Sequence, residues 1–214
     1  VLRAAPAHAR AAGRLGMTSI PAAELVSACV PAGERFRLQQ TDLRIRSGVV
    51  TAVIGRNGSG KSTLLGVLSG ELAPGSGIAL IGGHDVRELS TVELARRRAL
   101  LTQETQVSFG FTVADVVGWG RTPWRGTPST DDDTRAVDDA IAAQGLDDLR
   151  DRAVTSLSGG ERKRVHIARV MAQDTGLLLL DEADSDLDLV GRRNLDTLVA
   201  EQAALAIRNG ELRT

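Results

Sequence analysis

The stretch Gly55-Arg-Asn-Gly-Ser-Gly-Lys61-Ser62 fits the pattern G-x-x-x-x-G-K-[ST], and its residue types suit the binding of phosphate groups. Glycines let backbone N–H groups curl around phosphate oxygens, and a helix opening directly after the loop adds the positive end of its dipole. Lys61 is expected to reach the β- and γ-phosphates of a nucleotide, and the Ser62 hydroxyl to bind Mg2+. Gly55, Asn57, Gly58, Ser59, Gly60 and Thr63 complete the candidate phosphate-binding set. The chain has 26 lysines and arginines together, yet only Lys61 and Lys163 are lysines. An arginine-biased composition that keeps lysine in this loop indicates that the amine itself matters.

A second cluster is Leu177-Leu-Leu-Leu180-Asp181-Glu182. Four leucines followed by two acids read equally well as a core strand leaving the interior. Beside an upstream phosphate loop, Asp181 is expected at the metal, and Glu182, pointing elsewhere, is positioned to polarise an attacking water as general base. A third cluster, Leu157-Ser158-Gly159-Gly160-Glu161, precedes a helical stretch. On its residues alone it is an N-cap, for which Ser158 and the glycines suffice.

The elements around these clusters follow from hydrophobic pattern. Val49 to Ile54 is a β-branched apolar run closed by glycine and reads as a buried strand, and Lys61 to Leu68 resumes with helical spacing. Ile78–Ile81 and Ala99–Thr102 read as short strands, with a polar helix over Thr91–Arg98 between them. From Thr112 to Gly145 the pattern is helical, and Asp131-Asp-Asp133 suits a helix N-terminus before Ala136–Gln144. Glu161–Gln173 is predicted as a helix, Leu177–Leu180 as a buried strand and Gly191–Ala204 as an amphipathic helix.

Composition sets outer bounds. With 214 residues the chain holds one sizeable core or one core carrying a small lobe. A formal charge of −1, with acids and bases mixed along the chain, argues against a nucleic-acid partner. The sole cysteine, Cys29, has no companion for a disulfide or a zinc site, which fits a reducing compartment. No apolar run approaches the ~20 residues that span a bilayer, so a membrane role goes through a partner. Residues 1–20, Ala/Arg-rich and without acids up to Gly16, are expected to be a disordered leader, with Met17 a candidate start.

Taken in order, the P-loop, an isolated Gln103, Leu157-Ser-Gly-Gly-Glu161 and Leu177-Leu-Leu-Leu-Asp-Glu182 resemble the ABC ATPase family over about Leu38 to Asp188. The resemblance implies an α/β P-loop NTPase fold over 21–214, with a RecA-like core, a small antiparallel β lobe and a helical lobe inserted at about 104–160. It implies ATP and Mg2+ as cofactors and a head-to-tail homodimer. In that dimer Ser158, Gly159 and Gly160 of one copy bind the γ-phosphate held by the other. Gln103 then senses Mg2+ and the attacking water, and Ser185-Asp-Leu-Asp188 looks like the D-loop. Soluble DNA-repair or chromosome-type relatives fit poorly, because the spacing from P-loop to signature is short and neither zinc cysteines nor coiled-coil heptads occur.

Within the family, Phe111-Thr-Val-Ala-Asp-Val-Val117 and Gly120-Arg-Thr-Pro-Trp124 resemble the group that imports haem, iron-siderophores and cobalamin, as do Gly82-Gly-His-Asp85 and Ala95-Arg-Arg-Arg98. The implied role is an ATP-hydrolysing subunit that energises uptake of haem or an iron chelate. It would sit peripherally on the cytoplasmic face of the membrane, on separate permease subunits. The chain also departs from the family. His8, His84 and His166 all precede Asp181, where the family has a switch histidine some thirty residues beyond the Asp-Glu pair. Ala206 to Leu212 resembles the late strand that follows that histidine, which implies an incomplete C-terminal part. The alternative is therefore a copy that binds ATP but hydrolyses it poorly. Ala183-Asp184 replaces the usual Pro-Thr and adds negative charge near the metal. Cys29 to Gly33 offers no aromatic for adenine, leaving Phe36 as a substitute.

Overall fold

The computed structural model describes residues 3–6, 20–33, 35–102, 109–127, 130–181 and 203–209. They form two compact units, one of residues 1–100 with 176–214 and one of residues 101–175.

The first unit holds two sheets. One is antiparallel, built from β2 (Ala23–Ala32), β3 (Arg35–Ile45), β5 (Ser76–Ile81) and β6 (His84–Asp85) in the order β3-β2-β5-β6. The other contains β1 (Arg3–Pro6), β4 (Val50–Gly55), β7 (Arg98–Leu101), β8 (Leu177–Leu180) and β9 (Ala203–Asn209) in the order β1-β4-β9-β8-β7. Helix α1 (Lys61–Ser69) is apolar almost all round, and Leu64, Leu65, Val67 and Leu68 are buried in it. They share one core with Leu25 and Leu38 of the antiparallel sheet and with Val53, Leu177 and Leu179 of the other. All four leucines of β8 are buried, as a strand covered on both faces requires. Short α2 (Thr91–Arg97) precedes β7.

The second unit is helical. Its helices α3 (Val113–Gly118), α4 (Thr130–Ala143) and α5 (Gly159–Ala172) bury Val113, Val116 and Val117 against Ile141, Val165, Ala168 and Ala172. A 3-10 turn at Trp119–Trp124 is tied to the end of α5. Buried Arg121 donates to Asp133 Oδ1 at 2.7 Å and to the Ala172 carbonyl at 2.9 Å, and Trp124 Nε1 donates to the Gln173 carbonyl at 2.8 Å. Among the described residues no helix is long and apolar enough to cross a membrane.

This is the RecA-like core with an antiparallel lobe and a helical insert that the motif order implies. Three details differ from the sequence expectation. Arg3–Pro6, expected within a disordered leader, is a strand antiparallel to β4, with Arg3 opposite Ile54 and Pro6 opposite Thr51. The outer edge of β4 presents unpaired backbone groups that an extended segment can satisfy. Ala203 and Ala204, expected at the end of a helix, begin β9 instead, which runs parallel between β4 and β8. Alanine favours helix, but two strand neighbours outweigh that weak preference. The rest of that expected helix, 191–202, lies outside the described residues. Finally, the helical unit reaches Thr175, past the expected bound near 160, because α5 packs on α3 and α4.

α2, α3 and α5 begin with the same device. Ser90, Thr112 and Ser158 each accept a hydrogen bond from the backbone N–H three residues on, and Glu93, Asp115 and Glu161 reach back to the cap N–H. The hydroxyl and amide bonds hold all three carboxyls below their ordinary values of 4.5 for glutamate and 3.8 for aspartate. A depressed folded-state value means stability that is present above the unfolded value and lost as pH falls through the folded one. Glu93→Gln should therefore lower the thermal midpoint at neutral pH, and its deficit should shrink as pH falls below about 4. A deficit independent of pH would contradict the box.

Candidate functional site

The P-loop lies between β4 and α1, and its path depends on backbone geometry that other residues resist. Gly58 and Gly60 have φ of +76° and +92°, in the left-handed region. Gly60 is also crowded: a Cβ there would lie 2.7 Å from the Arg37 carbonyl oxygen of β3. The loop closes on itself through Ser59 N–H to the Arg56 carbonyl at 3.1 Å, and Leu64 N–H donates to the Gly60 carbonyl at 2.8 Å as α1 starts.

Lys61 is buried, with 6% of its surface exposed. Its ammonium donates to the Gly55 carbonyl at 2.9 Å and the Arg56 carbonyl at 3.0 Å. An ammonium has three hydrogens, so two fix the amine beneath the loop and one remains for a phosphate. Unlike α2, α3 and α5, α1 has no side-chain cap at Gly60 and no acid in its first turn. Among the described residues its first backbone N–H groups therefore have no side-chain cap, and no carboxylate of its own first turn competes for them. Asn57, Gly58 and Ser62 are exposed and Thr63 is half-buried. Ser59 differs from the rest of the loop, because its hydroxyl is buried without a hydrogen-bond partner, on the side of Gly55.

Asp181 is half-buried and directly follows β8. The register pairs Leu180 with Ala206, and Ala206 with Ala52. Asp181 and the P-loop thus leave the same carboxyl edge of the parallel strands, two strands or about 10 Å apart, the edge where such sheets bind ligands. The Ser62 hydroxyl and the Asp181 carboxylate are hard oxygen donors, which suit Mg2+. Among the described residues no group of three or more His, Cys, Asp or Glu could hold a metal.

In the helical unit, Ser158 caps α5 and Gly159 and Gly160 form its first exposed residues. Neither glycine has a positive φ, and a Cβ on either would meet nothing within 4 Å. Glycine weakens a helix by about 0.5–1 kcal/mol relative to alanine, and neither backbone angle nor packing among the described residues requires it at these two positions. What the sequence analysis missed is the partner of Ser158: its hydroxyl donates to Glu161 Oε2 at 2.7 Å. The S-x-x-E spacing carries that signal.

A family profile described as ABC transporter matches residues 38–185, more than half of the chain, and spans the P-loop, Gln103, residues 157–161 and Asp181-Glu182. The chain belongs to the ABC transporter family. It is 45% identical over 166 residues to a hemin import ATP-binding protein, HmuV, of Nocardia farcinica, an alignment that covers 78% of this chain and 58% of that protein. It is 46% identical over 158 residues to a cobalamin import ATP-binding protein, BtuD, of Halobacterium salinarum, covering 74% and 39% respectively. Among solved structures it is similar to cbiO1 from Clostridium perfringens, described as part of the ABC transporter complex cbiONQ. The TM-score is 0.76 at 25% identity, with 89% of this chain and 79% of that one covered. The chain thus spans about three-fifths of the length of the curated HmuV relatives.

Of the ABC-type site residues expected from sequence, the P-loop set, Asp181 and the Ser158–Gly160 signature are described. Gln103, Glu182, Ala183-Asp184 and the D-loop segment Ser185–Asp188 lie outside the described residues, as does the Phe36 side chain. His166, expected to pack or lie on the surface, is buried within α5. The loop geometry makes a paired test. Gly58→Ala should cost roughly 1–2 kcal/mol for a left-handed alanine. Gly60→Ala should cost clearly more, since it adds the clash with the Arg37 carbonyl; equal costs in urea unfolding would contradict this packing.

Proposed function

We propose that the chain is the ATP-binding and ATP-hydrolysing subunit of an ABC importer, energising uptake of haem or an iron chelate through separate membrane permease subunits. The observation that carries the reading is the bare N-terminus of α1, backed by a buried Lys61 and lying on the same sheet edge as Asp181. That arrangement suits a polyphosphate with its metal. The identities to proteins named for hemin and cobalamin import support the transport role, and those named for hemin favour haem or a related chelate.

In this reading the N–H groups opening α1 and the third Lys61 hydrogen donate to the β- and γ-phosphates. Ser62, Asp181 and Gln103 hold Mg2+, which when bound neutralises phosphate charge. Glu182 accepts the proton of the attacking water and Gln103 orients that water. Phosphoryl transfer leaves little covalent work for the protein, so positioning and charge stabilisation supply the rate. Two copies pair head to tail, with Ser158, Gly159 and Gly160 of each closing on the other's γ-phosphate. The bare glycines at the start of α5 leave room for that approach. Closing and reopening of the pair moves the permease, and the subunit works at the cytoplasmic face of the membrane without entering it.

The test is calorimetric titration of ATP-Mg2+ into the protein and its Lys61→Ala variant. Removing a hydrogen bond to a charged group should weaken binding by roughly ten- to hundredfold. Equal affinity of the two proteins would remove the P-loop from the site.

A further inference from the structure

Ser158 has one hydroxyl hydrogen, and it is already engaged. It is donated to Glu161 Oε2 at 2.7 Å, and the same carboxylate oxygen accepts the Ser158 backbone N–H at 2.7 Å. The hydroxyl oxygen in turn accepts the Glu161 N–H at 3.3 Å. These bonds, with smaller help from the positive charges of Arg152 and Arg164, hold the Glu161 carboxyl below its ordinary range, so it is ionised at neutral pH. A γ-phosphate oxygen presented by a second copy needs the same hydrogen and meets the same negative charge.

We propose that Glu161 is a positioning residue that withholds the Ser158 hydroxyl from a second copy's nucleotide and thereby raises the ATP concentration at which two copies pair. This rests on the head-to-tail pairing proposed above. The boxes at Ser90–Glu93 and Thr112–Asp115 have the same bonds, so the device is this chain's ordinary helix start. Only at Ser158 does it occupy a group that pairing requires. The Ser158 hydroxyl must exchange one anion for another on pairing, and the strength of its bond to Glu161 opposes that exchange. Glutamine at the same position preserves the capping pattern while turning a charge-assisted bond into a neutral one.

The experiment compares Glu182→Gln, which removes the proposed general base so that bound ATP should persist, with the double variant Glu182→Gln/Glu161→Gln. Light scattering follows ATP-driven pairing at about 0.1 M and about 0.5 M NaCl. A charge-assisted bond is about twice as strong as a neutral one, worth roughly fivefold per contact. With two signatures in a symmetric pair, the double variant should pair with a roughly 25-fold lower dissociation constant at both salt concentrations. Salt screens long-range repulsion but not a direct bond, so a gain that vanishes at high salt overturns the role of the hydroxyl. Unchanged or weaker ATP-driven pairing in the double variant overturns the inference and leaves the pairing itself standing. No ATP-dependent pairing in either protein overturns both.

Discussion

The backbone of residue 60 is the constraint on which the rest of the candidate site depends. With φ at +92° and the Arg37 carbonyl 2.7 Å from where a side chain would begin, only glycine turns the chain there from β4 into α1. That turn starts α1 without a side-chain cap and makes Lys61, buried and bonded to loop carbonyls, its first residue. The lysine then fastens the turn from below through the Gly55 and Arg56 carbonyls. Each part supports the other, because the amine is buried only by virtue of the turn, and a buried amine is tolerated only with such acceptors around it. What remains is a set of donors with no side-chain acceptor among the described residues, which is how an anion site differs from an ordinary capped helix start.

Electrostatics separate α1 from its neighbours. α2, α3 and α5 satisfy their N-termini internally, each with a hydroxyl and a carboxylate. α1 does neither. A carboxylate there would fill the site that phosphate is proposed to take and add like charge beside it. The signature helix α5 is the intermediate case, internally capped yet opening with two exposed glycines that its own packing does not require. The two helix starts thus have complementary characters, one bare and one occupied by a carboxylate that a competing anion must displace.

Much of this was legible in sequence because it is local. The P-loop pattern, the four leucines before Asp181 and the cap at Ser158 each specify their element within about ten residues. Long-range pairing was not legible. Residues 206–209 fall in the segment that resembles a late strand, but Ala203 and Ala204 have the composition of a helix end and become strand only between β4 and β8. Arg3–Pro6 carries no strand pattern and is paired through the edge of β4. The membership of α5 in the helical unit depends on Val165, Ala168 and Ala172 meeting α3 and α4, which its own amphipathic spacing does not specify. Glu161 was visible as a signature residue, and the S-x-x-E spacing carried the signal of its hold on the Ser158 hydroxyl, but the distances of that hold needed the geometry.

The central claim is that the open N–H groups at the start of α1 receive the phosphates of ATP. Residue-resolved amide hydrogen exchange with and without ATP-Mg2+ tests it most directly. Exchange at Gly60, Lys61, Ser62 and Thr63 should slow by roughly tenfold or more on binding, since a donated hydrogen must be released before it exchanges. Binding of ATP that leaves these four amides unchanged while protecting another surface would contradict the account.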